Sequence, residues 1–484
     1  MAKRPNLLFI FTDEQRYDTM ACYGNQMIET PHLNALAERS FVFENAYVTQ
    51  PVCTPSRSSI MTGLYPHTCG CTANNIPLRP ETPTIAEMVS HDYSSAYFGK
   101  WHLGDEIIAQ HGFKKWVSIE DMYRRFYSRE EYLSRFSDYH HFLVEKGLTP
   151  DRESHGGKVF SRTTAARLPE ELTKASFLGE RAAEFIRENR NRPFVLYVNF
   201  LEPHMPFTGP FDEMYAPEKL PVGPHFFRKP APDASLLHRV RAEQYARRPY
   251  GDLDLGTEAG WRKLRARYWG LVTLVDRAVG VMLGALDECG LSDNTIVVFT
   301  SDHGDMMGDH AILAKCVMYE EALKVPLLVR VPWLAQEGRG VKGRINQIDL
   351  VPTLLELLNE PIPEHLEGES RAKVLAGQAD LSENDVFVEW NSRNGWPKET
   401  PSGFTPDQFQ RVAGEPWRTV VTADGWKLNL SPVDRCELYD LSGDPYEMKN
   451  LIDDSTQRER IRDLTSRIRQ WQKRSEDQAP LPDL

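Results

Sequence analysis

Continuous apolar runs alternate with helix-forming stretches along most of the chain. Residues 6–11, Asn-Leu-Leu-Phe-Ile-Phe, have the length and composition of a buried strand, and Thr30 and Pro31 then open a helix with a cap and a first-turn proline in place. The alternation returns at residues 93–98, which run into Gly99, at residues 192–200, and at residues 294–300. Ahead of the last run, Tyr268, Leu271, Val272, Val275, Val279, Met282, Leu283 and Leu286 trace one face of a helix that stops at Gly290. Strands that are apolar throughout need cover on both faces. The pattern therefore predicts an α/β fold with a mostly parallel central sheet flanked by helices.

In such sheets reactive residues gather just beyond the carboxyl ends of the strands. Asp13 follows the first run, Lys100 and His102 follow the second, Glu202 and His204 the third, and Ser301, Asp302 and His303 the fourth. Four strands thus deliver polar clusters to one edge. Lys100 and His102, two residues apart, share a side if the backbone stays extended.

Two segments, 113–190 and 205–265, are rich in charge, aromatics and proline with little sustained period. They predict insertions above the sheet edge that shape a pocket. Residues 376–484 change texture again. Short runs at 386–390, 417–422, 426–429 and 437–441, separated by turn residues, predict a small antiparallel sheet, and Ile461, Leu464, Ile468 and Trp471 mark the core face of a last helix. The chain divides accordingly into an α/β domain, 1–375, and a C-terminal subdomain, 376–484. Trp390, Trp396 and Trp417 form an aromatic group that could contribute to specificity, and residues 390–393 could touch substrate or a neighbouring subunit.

Composition narrows the function. The chain carries 57 lysines and arginines against 69 aspartates and glutamates, a net charge of −12, which excludes a nucleic-acid or anionic-membrane surface. An anion site must then be a local basic pocket. The apolar run at 7–11 is too short for a leader's apolar core, and no other stretch reads as long enough to cross a bilayer. The 7 cysteines, odd in number and scattered, do not form a disulfide framework and predict a cytoplasmic setting. Cys69 and Cys71, the one close pair, read as structural.

The densest chemistry lies at residues 53–63, Cys-Thr-Pro-Ser-Arg-Ser-Ser-Ile-Met-Thr-Gly. Thr54 can cap a helix, Pro55 suits its first position and Gly63 its exit. Cys53 then faces free backbone amides, and Arg57, one turn on, shares that face. Helix dipole and guanidinium together favour an anion and predict an acidic, reactive thiol. Asp13, Asp302 and His303 offer the oxygen and imidazole ligands of a divalent cation.

The Cys-x-Pro-Ser-Arg run, followed by a short helix ending Thr-Gly, resembles the signature of type I sulfatases in the alkaline-phosphatase superfamily. Residues 301–310, Ser-Asp-His-Gly-Asp-Met-Met-Gly-Asp-His, resemble the second metal motif of that family. His303, where many relatives carry Asn, resembles the choline-sulfatase and phosphonate-hydrolase branches. The run from Gly99 to Gly104, containing Lys100 and His102, the Pro203-His204-Met-Pro-Phe207 element and Lys315 are similar to further family motifs, as are residues 319–329 and 437–451. The likeness runs from near residue 5 to near residue 451, while most of the two insertions matches no element of the family.

This resemblance implies an arylsulfatase-like sulfuric ester hydrolase that splits a small-molecule sulfate monoester into alcohol and inorganic sulfate. Cys53 would be oxidised to formylglycine by a maturing enzyme, and its hydrate would be the nucleophile. Asp13, Asp302, His303 and modified Cys53 would hold one divalent ion, with calcium as the first choice and manganese or magnesium as alternatives; Glu14 stands where the family often has another ligand. Arg57 would align the nucleophile, Asp302 would accept its proton, and Lys100, His204 and Lys315 would bind the sulfuryl oxygens. His204 or Lys315 would protonate the departing alcohol, and His102 would then deprotonate the covalent sulfo-enzyme to expel sulfate. The resemblance also admits a homo-oligomer. Two rivals share the scaffold: a phosphonate monoester or phosphodiester hydrolase, against which Lys100 and His102 speak, and an anion-binding pseudoenzyme, which would have no use for an oxidisable cysteine.

Overall fold

The computed structural model describes residues 4–245, 249–335, 337–391 and 400–483. Trp396 and Arg393 lie outside the described residues. The central sheet is built from β1 (Asn6–Asp13), β2 (Phe41–Tyr47), β3 (Ser94–Gly99), β4 (Lys115–Ser118), β5 (Phe194–Pro203), β6 (Thr295–Ser301), β7 (Leu327–Arg330) and β8 (Arg339–Asn346). Their order is β8-β2-β7-β6-β1-β5-β3-β4, and the short run Lys324–Val325 pairs with the far end of β2. β6, β1, β5, β3 and β4 run parallel, while β7 is antiparallel to both its neighbours. The sheet is thus mixed but mostly parallel, as the apolar runs predict.

Alternate residues of β1 feed two cores. Leu8 and Ile10 pack on one face with α1 (Pro31–Ala37), α3 (Lys174–Glu188) and α4 (Glu258–Glu288); Leu7, Phe9 and Phe11 pack on the other, toward α2 (Cys53–Thr62). α4 is longer than its apolar face predicts. By length and composition it could cross a membrane, contrary to the sequence expectation, but 72% of its apolar window is buried and it packs on α3 and β5. Burial on this scale marks the core helix of a doubly covered sheet.

β4 and α3 belong to this framework, so only part of the 113–190 segment stands at the sheet edge, where Tyr123 and Arg162 project toward the site. Residues 376–484 contribute β9 (Val386–Trp390), β10 (Trp417–Val421), β11 (Trp426–Leu430) and β12 (Glu437–Asp440), an antiparallel sheet in sequence order. Its one face meets Ile461, Leu464, Ile468 and Trp471 of α5 (Arg458–Ser475), the predicted core residues. Its other face shares the second core: Trp390 and Trp417 are fully buried there with Phe9 and Phe11. Those two tryptophans therefore serve packing and do not line a pocket.

Candidate active site

Strand register decides which side chains meet. Phe11 pairs with Thr300 and Thr12 with Ser301, so Asp13 and Asp302 leave the sheet side by side. On the other flank Phe11 pairs with Asn199, and Gly99 pairs with Asn199 in turn. A Cβ at Gly99 would lie 1.9 Å from the Asn199 carbonyl oxygen, at a φ of +120°, so only glycine allows this approach. Asn199 then offers its amide oxygen to Arg57 Nη1 at 2.6 Å.

α2 begins two residues earlier than its sequence suggests. Val52 is the N-cap and Cys53 the first helical residue, while the Thr54 hydroxyl donates to the His102 carbonyl at 2.8 Å instead of capping. Cys53 remains at the helix mouth, fully buried, with Sγ 3.4 Å from His303 Nε2 and 3.7 Å from Asp13 Oδ1. The predicted acidic thiol is not found. Burial first, and then the Asp13 and Asp302 carboxylates, raise the Cys53 pKa well above its usual value, against the pull of Lys100 and Arg57.

Arg57 organises the floor of the site. It is fully buried, and its Nη2 lies 2.9 Å from Asp13 Oδ2 and 2.9 Å from Asp302 Oδ2, while Nη1 donates to the Lys100 carbonyl at 2.7 Å. The Lys100 ammonium pairs with Asp13 Oδ2 from the other side. Burial works against the Asp13 charge, but Lys100, His204 and Arg57 together hold its pKa well below the carboxylate range. Asp302 moves the other way, raised by burial and by the neighbouring Asp13. Ser56 and Gln347 support it: the Ser56 hydroxyl donates to the Asp302 carbonyl, and Gln347 donates to the Ser301 carbonyl at 2.8 Å.

Lys100 and His102 converge, but not by strand alternation. The backbone leaves the extended region after Gly99, and His102 has a φ of +57°. Buried Glu106 holds that turn, accepting the Trp101 and His102 amides at 2.8 and 2.7 Å. The His102 ring stacks on Tyr123 with centroids 4.1 Å apart, and its Nε2 lies 3.1 Å from Asn75 Oδ1. Burial, with Lys100 and Arg57 adding to it, pushes His102 well below its ordinary pKa, so the ring is a neutral base. His204 and Lys315 close the far side. His204 Nε2 lies 3.3 Å from Glu14 Oε1, and the Lys315 ammonium pairs with the same oxygen. Burial lowers the pKa of both, that of His204 to about 3.

The residues predicted for catalysis and metal binding thus reach one cluster, while Trp390 and Trp417 do not join it. Sequence reasoning missed Asn199, Glu106, Asn75, Tyr123, Ser56 and Gln347. Only Asn199 carried a signal, a lone amide inside an otherwise apolar strand.

The donor set fits a divalent cation. Asp13, Cys53, Asp302 and His303 each offer a ligand atom within 4.8 Å of the others, all buried. Glu14 Oε2 is buried without a hydrogen bond, while Oε1 is taken by Lys315, and a nearby cation would relieve the free oxygen. His303 donates from Nδ1 to the Gly304 carbonyl at 2.9 Å, which leaves the Nε2 lone pair facing the carboxylates. Such a helix mouth, cation cluster and carboxylate set define a hydrolytic site for an anionic ester, on an α/β scaffold of the alkaline-phosphatase kind.

Comparison with known proteins places the chain more closely. The sulfatase family model matches residues 5–360, and a model for the C-terminal part of N-sulphoglucosamine sulphohydrolase matches residues 308–474. The chain belongs to the sulfatase family. It is 31% identical to an uncharacterised sulfatase of Escherichia coli K12, over 93% of this chain and 84% of that protein. An arylsulfatase of Clostridium perfringens is 28% identical, with 95% and 92% covered. Among solved structures, a phosphonate monoester hydrolase from Silicibacter pomeroyi superposes with a TM-score of 0.76 at 25% identity, covering 98% of this chain and 96% of that one.

Proposed function

We propose that the protein hydrolyses sulfate monoesters of small molecules, with an oxidised Cys53 as nucleophile. The observation that carries this reading is the position of Cys53: its side chain lies inside the ligand cluster, 3.4 Å from His303 Nε2, yet its thiol is held protonated. A buried, unactivated thiol is a poor nucleophile. Oxidation to formylglycine would supply a hydrated carbonyl whose two hydroxyls can serve attack and release in turn. Calcium, or manganese or magnesium, held by Asp13, Asp302, His303 and residue 53, with Glu14 in reach, would supply fixed positive charge to the ester oxygens.

The chain's own residues divide the remaining work. Arg57 orients Asp13 and Asp302 through its fork of donors, and Asp302, with its raised pKa, is suited to take the first proton. Lys100, His204 and Lys315 bound the space where sulfuryl oxygens gain charge. Lys315 is the better proton donor to the leaving alcohol: its ammonium is paired with Glu14 and burial weakens its hold on the proton, whereas His204 is already neutral. His102, also neutral and fixed by Asn75 and Tyr123, is placed to remove the proton whose loss releases sulfate.

A second reading, phosphonate monoester or phosphodiester hydrolysis, is supported by His303 and by the fold likeness to the Silicibacter pomeroyi enzyme. Parallel assays of aldehyde-verified protein with an aryl sulfate, a bis-aryl phosphate and a phenyl phosphonate separate the two. Sulfate turnover should dominate; rapid diester turnover beside negligible sulfate turnover would reverse the assignment.

A further inference from the structure

A second group of ligand-type side chains draws on the same stretch of chain: His310 lies between His303 and Lys315, Glu321 just beyond Lys315, and His225 packs against them from another segment. We propose that His225, His310 and Glu321 form a binding site for a zinc-class divalent cation, separate from the catalytic cluster. Each of the three offers a ligand atom within 4.8 Å of the others, and all are buried. Around a tetrahedral ion with bonds of about 2.0–2.1 Å the ligand atoms stand roughly 3.4 Å apart, so no separation within the group has to change by more than about 1.4 Å to hold one. His225 Nε2 already lies 2.8 Å from Glu321 Oε1.

Three independent features point to an ion. Glu321, only 6% exposed, uses Oε1 for His225 but leaves Oε2 without a hydrogen bond. His310 donates from Nε2 to the Tyr446 carbonyl at 3.1 Å, which makes Nδ1 the lone-pair nitrogen; His303 in the catalytic cluster is prepared in the same manner through Gly304. A cavity of about 400 Å³, lined by His225, Asp309, Glu321 and Tyr446 among others, opens onto the group and gives an ion a path from solvent.

The frame is rigid. The His310 amide donates to the His225 carbonyl at 2.9 Å and the Phe227 amide to the Gly308 carbonyl at 2.8 Å, so the two imidazole-bearing segments are zipped together. The His310 ring stacks on Tyr319 at 3.9 Å and His225 lies 4.7 Å from the Tyr446 ring. Asp309 is neutralised by Arg16 and Arg265, each at 2.8 Å, and this leaves two imidazoles and one carboxylate as the set. That mixture suits zinc, cobalt or nickel better than calcium.

Cobalt(II) serves as the probe on the full-length protein, with bound metal counted by elemental analysis after equilibrium dialysis and geometry read from visible absorption. Wild type should retain two equivalents, Asp13→Asn only the second one with its tetrahedral bands, and His310→Gln and Glu321→Gln only the first. A wild-type protein that holds one equivalent, lost in Asp13→Asn, would overturn the proposal, as would a second equivalent that survives in both His310→Gln and Glu321→Gln. The wild-type count does not depend on any variant folding, and the Asp13→Asn arm separates this site from the catalytic reading.

Discussion

Arg57 meets the Asp302 carboxylate through two nitrogens, Nε at 3.0 Å and Nη2 at 2.9 Å from Oδ2, with neither side chain exposed to solvent. The same Nη2 also reaches Asp13, so one planar cation fixes the spacing of two carboxylates. A lysine could pair with one of them but not span both. Arg57→Lys should lower kcat/KM by about 100-fold or more, and Arg57→Ala should also destabilise the fold by about 3–5 kcal/mol because buried Asp302 loses its cation and Asp13 keeps only Lys100. Steady-state kinetics and urea unfolding check both; an Arg57→Lys enzyme with wild-type kinetics would refute the spanning role.

Glu106 meets the reactive cluster only through backbone amides, yet it shapes it. Its carboxylate accepts the Trp101 and His102 amides and stabilises the +57° backbone of His102, while burial raises its pKa to about 7. Glu106→Gln turns one acceptor into a donor that faces an amide, which costs about 1–3 kcal/mol. The expected outcome is a lower kcat with KM little changed, together with a lower melting temperature. Unaltered kcat would show that His102 does not depend on this support.

Beyond the C-terminal end of α2, His67 ties α5 to β9. Its Nδ1 pairs with the buried Glu389 carboxylate and its Nε2 donates to the Ser475 carbonyl at 3.0 Å, so both nitrogens need protons. Burial opposes that charge, but Glu389 outweighs it and raises the pKa to about 9. A raised pKa stabilises the fold most below the unfolded value near 6.5, and the contribution fades as pH climbs through about 9. Wild type should lose roughly 2–3 kcal/mol of unfolding free energy between about pH 6 and 10 relative to His67→Gln. Denaturant melts across that range check it; parallel pH profiles for the two proteins would refute it.

Much of the fold was legible because fully apolar strands announce a doubly covered parallel sheet. β1, β3, β5 and β6 all appear in the hydrophobic pattern, and the residues at their carboxyl ends do meet. β2, with Glu44 and Asn45 in its second half, breaks the apolar run and escapes notice, as do β4 and β8 at the sheet margins. The site was legible in its charged members and opaque in its supports. Asp13, Arg57 and His303 stand out by type and position, whereas Gln347 and Asn75 come from distant turns that only the closed fold brings near. Thr54 misled for a local reason: its hydroxyl found the His102 carbonyl, a tertiary partner, and the cap fell to Val52.

The role given to Gln347 follows from that support. Its amide links the Ser301 carbonyl to the Ser56 hydroxyl, which in turn bonds the Asp302 carbonyl. Gln347→Leu should leave the buried Ser301 carbonyl short of a donor, at about 1–3 kcal/mol, and reduce affinity for a cation bound at Asp302 by about 10- to 100-fold. Metal titration by calorimetry checks the second figure; unchanged affinity would place Gln347 outside the support of Asp302.

The most direct test joins mass to turnover at residue 53. Protein expressed with and without a formylglycine-generating enzyme gives samples of differing aldehyde content, measured by peptide mass spectrometry, and each is assayed on the same aryl sulfate. Turnover should rise in proportion to the aldehyde fraction and vanish in Cys53→Ala, which keeps its fold. Equal turnover by a sample carrying only the thiol would contradict the account.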